Sequence, residues 1–242
     1  FIKLSKDREQ NINELEMKKP FKPELEDLYR LYQFVVLNKR TTILEFGSGW
    51  SSIIFAIALN DLKKKYNMEV KKLRRNNPFE LFVLENEKNF FKKIKSKLKG
   101  KKYKNKIIKS IKLHFSDVQM TNYNGHFATE YKSLPLCNPD FIYLDGPGQF
   151  KVKGNVNGIT TAHYDMMPMV CDILKFEYFF LPGTIIVVDG RSANAQSLRD
   201  NFKRKWEYQN DKLYDQHIFY LNSDNSLGKY NDRQLQFYKT SI

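Results

Sequence analysis

Five apolar runs of strand length lie along the chain: Thr42 to Phe46, Glu80 to Leu84, Ile107 to Phe115, Pro139 to Leu144 and Thr184 to Val188. At or near the end of each stands a carboxylate, in order Glu45, Glu85, Asp117, Asp145 and Asp189. Near-continuous apolar runs suit strands buried on both faces, as in a parallel sheet. Helical spacing fills the gaps between them. Leu25, Leu28, Leu31, Tyr32 and Val35 share one face of a helix predicted over Pro23 to Leu37. Ser51 to Leu62, Lys88 to Leu98, Tyr164 to Phe180 and Ala193 to Lys205 read the same way, with Ser51 or Ser52 as a cap and Pro168 as a first turn or kink. Two further strands close the chain, His217 to Leu221 and Gln234 to Tyr238, joined by the turn-rich Asn222 to Asp232. The predicted fold is therefore α/β and doubly wound: a mainly parallel seven-stranded sheet, helices on both faces and an antiparallel C-terminal hairpin.

A chain of 242 residues suits one such domain, and no repeat or Pro/Ser-rich linker divides it. We expect 1–40 to form a helical extension packed on a domain of 41–242. With 41% hydrophobic and 14% aromatic residues, disorder is excluded as the default class. No apolar run approaches the ~20 residues of a membrane helix, and no apolar block follows Phe1 as a secretory signal would require. These points lead to the expectation of a cytoplasmic enzyme, and the missing initiator Met suggests a piece of a longer chain. Cys137 and Cys171 have neither metal-ligand spacing nor a disulfide framework, and both are expected as small buried apolar groups.

The formal net charge is +14, with basic residues gathered in Lys63 to Lys65, Lys71 to Arg75 and Lys92 to Lys106. Such clusters suit phosphate backbones or anionic membranes. Lys dominates over Arg, however, and no aromatic residues interleave with it in a stacking pattern. Solvated helix faces are the favoured reading, with a nucleic-acid partner left open.

In open α/β sheets, ligands bind beyond the carboxyl ends of the strands, where the five acids gather. Gly47 and Gly49 let the backbone turn and approach a ligand, and the helix that follows offers free N–H groups. A dinucleotide site would use a similar loop. Here the third glycine of G-x-G-x-x-G is Ser52, and Glu85 stands 36 residues past Gly49 rather than the ~20 that a ribose acid needs. Glu45 would also repel a pyrophosphate, whereas it could anchor an amine. S-Adenosylmethionine carries an amine and a sulfonium, and both suit a ring of carboxylates.

Taken in order, ILEFGSGWSS, LFVLENEKNF, HFSDV, PDFIYLDGP and LPGTIIVVDGR resemble the motifs of class I S-adenosylmethionine-dependent methyltransferases. The resemblance runs from about Leu44 to Tyr238 and is nearest to small-molecule O-methyltransferases of the catechol type. It implies that Glu45, Gly47 and Gly49, with Ser51 or Ser52 nearby, hold the methionine moiety. Glu85 would bind the ribose, Asp117 the adenine, and Asp145 would lie beside the methyl group.

On the acceptor side the chain departs from that family. Asp145 and Asp189 match two metal-ligating positions, but the third is Gly190, followed by Arg191. Two carboxylates hold Mg²⁺ weakly, so a divalent metal is possible and not favoured. Arg191 suggests an anionic acceptor group or a salt bridge to Asp145 or Asp189. Asp145 and His163 are the candidate bases. Thr121 to Asn138 and Gln149 to Thr161 are expected as long loops over the pocket. The sequence thus predicts methyl transfer to a small-molecule or sugar-like acceptor, at oxygen. An RNA-modifying enzyme, an NAD-dependent oxidoreductase and a non-catalytic cofactor binder stand as alternatives.

Overall fold

The computed structural model describes residues 24–99, 105–222, 224 and 226–239. Its first half runs α1 (Leu25–Leu37), β1 (Thr42–Phe46), α2 (Trp50–Val70), β2 (Glu80–Glu85), α3 (Lys88–Lys99), α4 (Asn105–Lys109) and β3 (Ile111–Phe115). There follow β4 (Val118–Tyr123), β5 (His126–Tyr131), β6 (Phe141–Leu144), β7 (Val152–Lys153), α5 (Asp172–Lys175) and β8 (Ile185–Asp189). The last elements are α6 (Ser192–Asn201), β9 (Trp206–Asp211), β10 (Gln216–Leu221) and α7 (Lys229–Lys239).

Seven strands form one sheet in the order β3-β2-β1-β6-β8-β10-β9. The first five lie parallel, and β10 pairs antiparallel with both β8 and β9. From β1 the chain winds outward to β2 and β3, then returns to β6 on the other side of β1. The order therefore reverses between β1 and β6, the point at whose carboxyl ends sheets of this kind place their ligands.

Alternation along each strand divides the core in two. Ile43, Val83, Phe141, Tyr143 and Val187 face Leu31 and Val35 of α1, Phe55 and Leu59 of α2, and Phe237 of α7. Leu44, Phe46, Leu84, Ile142 and Val188 face α5, α6 and a small second sheet, β5-β4-β7. At the amino end of β6 the buried Asp140 carboxylate accepts from the N–H groups of Thr41 and Thr42 and from the Tyr238 hydroxyl at 2.8 Å. Arg75 lies 3.4 Å from it, and the buried Arg40 guanidinium stacks on the Tyr238 ring.

Four sequence expectations need correction. The terminal hairpin is β9–β10, and Gln234 to Tyr238 belongs to helix α7. Asn231, Gln234, Leu235 and Phe237 are buried there; the Asn231 amide donates to Pro182 O and the Gln234 amide to the Tyr238 hydroxyl. Thr121 to Asn138 is largely the β4–β5 hairpin rather than a loop. Tyr164 to Phe180 is helical only in α5 and one short turn. There the Thr129 N–H donates to Met169 O and the Cys171 N–H to Thr129 O, which commits that segment to pairing with β5 in place of a helix. Ile107 to Phe115 divides into α4 and β3.

The extension expected over 1–40 lies mostly outside the described residues, as does part of the Lys92–Lys106 run. Lys63 to Lys65 sit on an exposed helix face. Both cysteines are free, and burial pushes each thiol up to about 12. Among the described residues no helix is long and apolar enough to cross a membrane.

Candidate active site

Backbone contacts lace three strand ends together. Gly47 takes a φ of +99°, its N–H donates to Leu84 O at 2.8 Å, and the Asp145 N–H donates to Phe46 O at 3.0 Å. A Cβ on Gly146 would lie 2.6 Å from Gly47 N and 2.8 Å from its Cα, so β1 and β6 touch here through backbone alone. Asn86 adds a further tie, accepting from the Gly148 N–H at 2.9 Å and donating to Gly148 O.

Gly49 caps α2, and its N–H donates to the Ser52 hydroxyl at 3.3 Å. One turn is thus secured without a side chain at the cap. The Ser51 hydroxyl points back to β1 and donates to Oε1 of Glu45. Glu45 is 1% exposed, and its second oxygen, Oε2, is buried with no hydrogen-bond partner. Burial pushes its carboxyl up to about 8. The charges of Asp145 and Glu85 act in the same direction, against the hydrogen bond from Ser51 and the nearby Ser52 hydroxyl.

Glu85 ends β2, also buried. The Ser48 hydroxyl donates to its Oε2 and the Glu87 N–H to its Oε1 at 2.7 Å. Burial raises its pKa, and these bonds oppose the rise. Asp117 stands between β3 and β4, where Lys153 lies 2.8 Å away and holds its carboxyl below the usual range. Asp145 is exposed at the tip of β6. Arg191 caps α6 and reaches it: Nη2 donates to Asp145 O at 2.9 Å and Pro147 O at 3.1 Å, while Nε lies 3.9 Å from the carboxylate. The Tyr143 hydroxyl donates to Asp189. His163 is exposed; its Nδ1 accepts from the Asp165 N–H at 3.2 Å. The Gln149 amide donates to the carbonyls of His163 and Met166, which joins the segment after Pro147 to the one around His163.

The structure thus gathers Glu45, Gly47, Gly49, Ser51, Ser52, Glu85, Asp145 and Arg191 around the carboxyl ends of β1, β2 and β6. Asp117 lies toward the β3 side, Asp189 turns to Tyr143, and His163 stands on an outer loop. Sequence reasoning missed Tyr131. Its ring packs edge-on against Phe46 at 5.5 Å, and its buried hydroxyl lacks a hydrogen-bond partner. Burial, with the charges of Glu85 and Asp145 adding to it, raises its pKa well above the usual range. Recognising Tyr131 from sequence would have required placing β5. Among the described residues no group of three or more His, Cys, Asp or Glu side chains could hold a metal ion.

No protein-family model matches the chain, and neither does any curated protein. Solved structures resemble it in part. The O-methyltransferase TomG from Streptomyces achromogenes, involved in tomaymycin synthesis and solved in complex with SAM, is 15% identical. The similarity covers 87% of this chain and 86% of that one, with a TM-score of 0.44. The SAH-bound Podospora anserina methyltransferase PaMTH1 is 13% identical over 88% of this chain and 86% of its own, with a TM-score of 0.41.

Proposed function

We propose that the chain binds S-adenosylmethionine at the carboxyl ends of β1 and β6 and transfers its methyl group to an oxygen of a small-molecule or sugar-like acceptor. The observation that carries this is the Glu45 carboxylate. A buried acid with one orphaned oxygen, beside a glycine turn, suits an ammonium, whose positive charge favours the acid's ionised form. Gly47, Gly49, Ser51 and Ser52 complete the wall around that ammonium. Glu85 offers a carboxylate for a ribose diol, with Ser48 holding the place until a ligand hydroxyl replaces it. Asp117 lies on the adenine side, with Lys153 competing for its carboxylate through an exposed and therefore weak pair.

Bound S-adenosylmethionine supplies a methyl group on a sulfonium. Held by Glu45, Glu85 and Asp117, it would offer the acceptor oxygen a methyl carbon whose bond to sulfur would break as the new bond formed, leaving a neutral thioether. The acceptor's hydroxyl proton passes to the Asp145 carboxylate. The protein's share is orientation: the site sets acceptor and methyl in line, which supplies much of the rate in such transfers. Asp189 steadies Tyr143, and His163 belongs to the loop that borders the acceptor entrance.

Calorimetric titration with S-adenosylhomocysteine, with NAD as control, tests this. Saturable binding of the first alone, weakened at least tenfold in Glu85→Ala, supports the proposal; binding of NAD alone overturns it. Acceptor screening with labelled methyl donor then follows.

A further inference from the structure

Ten buried side-chain polar atoms among the described residues have no hydrogen-bond partner, and five of them lie on four residues: Thr129, Tyr131, Arg191 and Asn194. Their concentration follows from the fold. Thr129 and Tyr131 stand two apart on β5 and so share one face. Arg191 and Asn194 stand three apart, at the cap and first turn of α6, and share another. Val170 joins the two elements, bridging to Thr129 and donating its N–H to Asn194 Oδ1 at 3.2 Å. The relative exposures of Thr129, Tyr131 and Asn194 are 0%, 5% and 1%.

What lacks a hydrogen bond along this seam is almost wholly donor: Arg191 Nη1, Asn194 Nδ2, two hydroxyls and Arg191 Nε, the last in an ion pair with the Asp145 carboxylate at 3.9 Å. The raised pKa of Tyr131 keeps its hydroxyl protonated, so it too donates. Buried donors without acceptors are costly, and an oxyanion would supply the acceptors. Arg191 Nη2, meanwhile, is held by Asp145 O and Pro147 O. The guanidinium therefore sits fixed beside the strand end at which the acceptor oxygen is placed above.

We propose that the acceptor carries an anionic oxygen group, a carboxylate or a phosphate, bound by Arg191 with Tyr131, Thr129 and Asn194 while the oxygen to be methylated lies at Asp145. This rests on the methyl-transfer proposal for the site's reaction but not for the seam's chemistry. Tyr131 packs in the core with Leu44 and Phe46, and alternation along β1 sends Glu45 to the other face of the sheet with Ile43, so the proposed cation-binding and anion-binding groups start from opposite faces. An acceptor with a negative group at one end and a hydroxyl at the other would be oriented by charge alone.

The test is the Arg Nε–H region of a proton–nitrogen spectrum of the full chain. The signal of Arg191 is the one missing in Arg191→Lys. Sodium formate and inorganic phosphate are titrated separately against sodium chloride at equal ionic strength. A saturable shift of that signal is expected, with the apparent affinity weakened at least threefold in Tyr131→Phe. Saturation by formate alone assigns a carboxylate group, and by phosphate alone a phosphate. Neither saturating by ~50 mM overturns the proposal, as does a response to chloride equal to that of either oxyanion. S-Adenosylhomocysteine binding, measured on the same sample, separates the two ideas: either can fail while the other stands.

Discussion

Glu45 makes ligand binding a proton-linked event. Its carboxyl is pushed up to about 8 from an ordinary 4.5, so at pH 7 it is ~90% protonated in the free protein. An ammonium held against Oε2 favours the ionised form, and the proton must leave. Binding of S-adenosylhomocysteine at pH 7 is therefore expected to release ~0.9 proton, falling to ~0.1 at pH 9, where the acid is already ionised. The same shift sets a stability window. The folded state prefers the protonated acid, so its stabilising contribution is complete below pH 4.5 and is lost as the pH rises toward 8. A shift of this size corresponds to on the order of 5 kcal/mol over that window, about 3 kcal/mol of it gone by pH 7. Replacing Glu45 with Gln should remove both effects. Titrations in PIPES and Tris, which differ in ionisation enthalpy, read the proton count directly. Equal binding enthalpies in the two buffers for the wild-type protein at pH 7 would refute the assignment of Oε2 as the ammonium's partner.

Three other outcomes follow from contacts described above. Gly146→Ala forces backbone atoms of Gly47 aside, and overpacking of that kind costs about 1–3 kcal/mol; calorimetry should show S-adenosylhomocysteine affinity down by tenfold or more. Asp140→Ala leaves Arg75 without its carboxylate and takes a favourable negative charge from Arg40, and a broken buried pair costs about 3–5 kcal/mol. Its thermal midpoint should drop by on the order of 10 °C in scanning calorimetry, with nucleoside affinity nearly unchanged if enough protein stays folded. Tyr131→Phe deletes a hydroxyl that bonds to nothing, so its urea midpoint should equal or exceed that of the wild type. A loss above about 1 kcal/mol would show a partner for that hydroxyl.

Which parts of the fold were legible in the sequence has a physical explanation. β1, β2, β6 and β8 are buried on both faces, so their apolar runs survive every choice of period, and the acids at their ends come with them. The failures share a different cause. β4 and β5 alternate with polar residues and read as loop, although Asn124 and Gly125, with φ of 51° and 84°, carry the hairpin turn's own signature. Helix α7 hides its stripe because Asn231 and Gln234 are polar where Leu is usual. The segment from Tyr164 has helical spacing but gives its backbone to Thr129 instead. The residues proposed to hold the methyl donor rest on strand ends, and those strand ends were visible. The proposed acceptor contacts depend on β5, and Tyr131 came to light only with its hairpin.

Where Gly47 meets Gly146, the floor of the proposed site has no side chains. Ligand preference cannot be edited from beneath, since any substitution there pushes two strands apart before it meets a ligand. Change has to enter from the rim: the β4–β5 hairpin, the segments around Gln149 and His163, and the first turn of α6. A chain built this way can exchange ligands by altering walls while the strand ends proposed to grip the methyl donor stay fixed. Those walls are where related chains with different substrates are expected to diverge first.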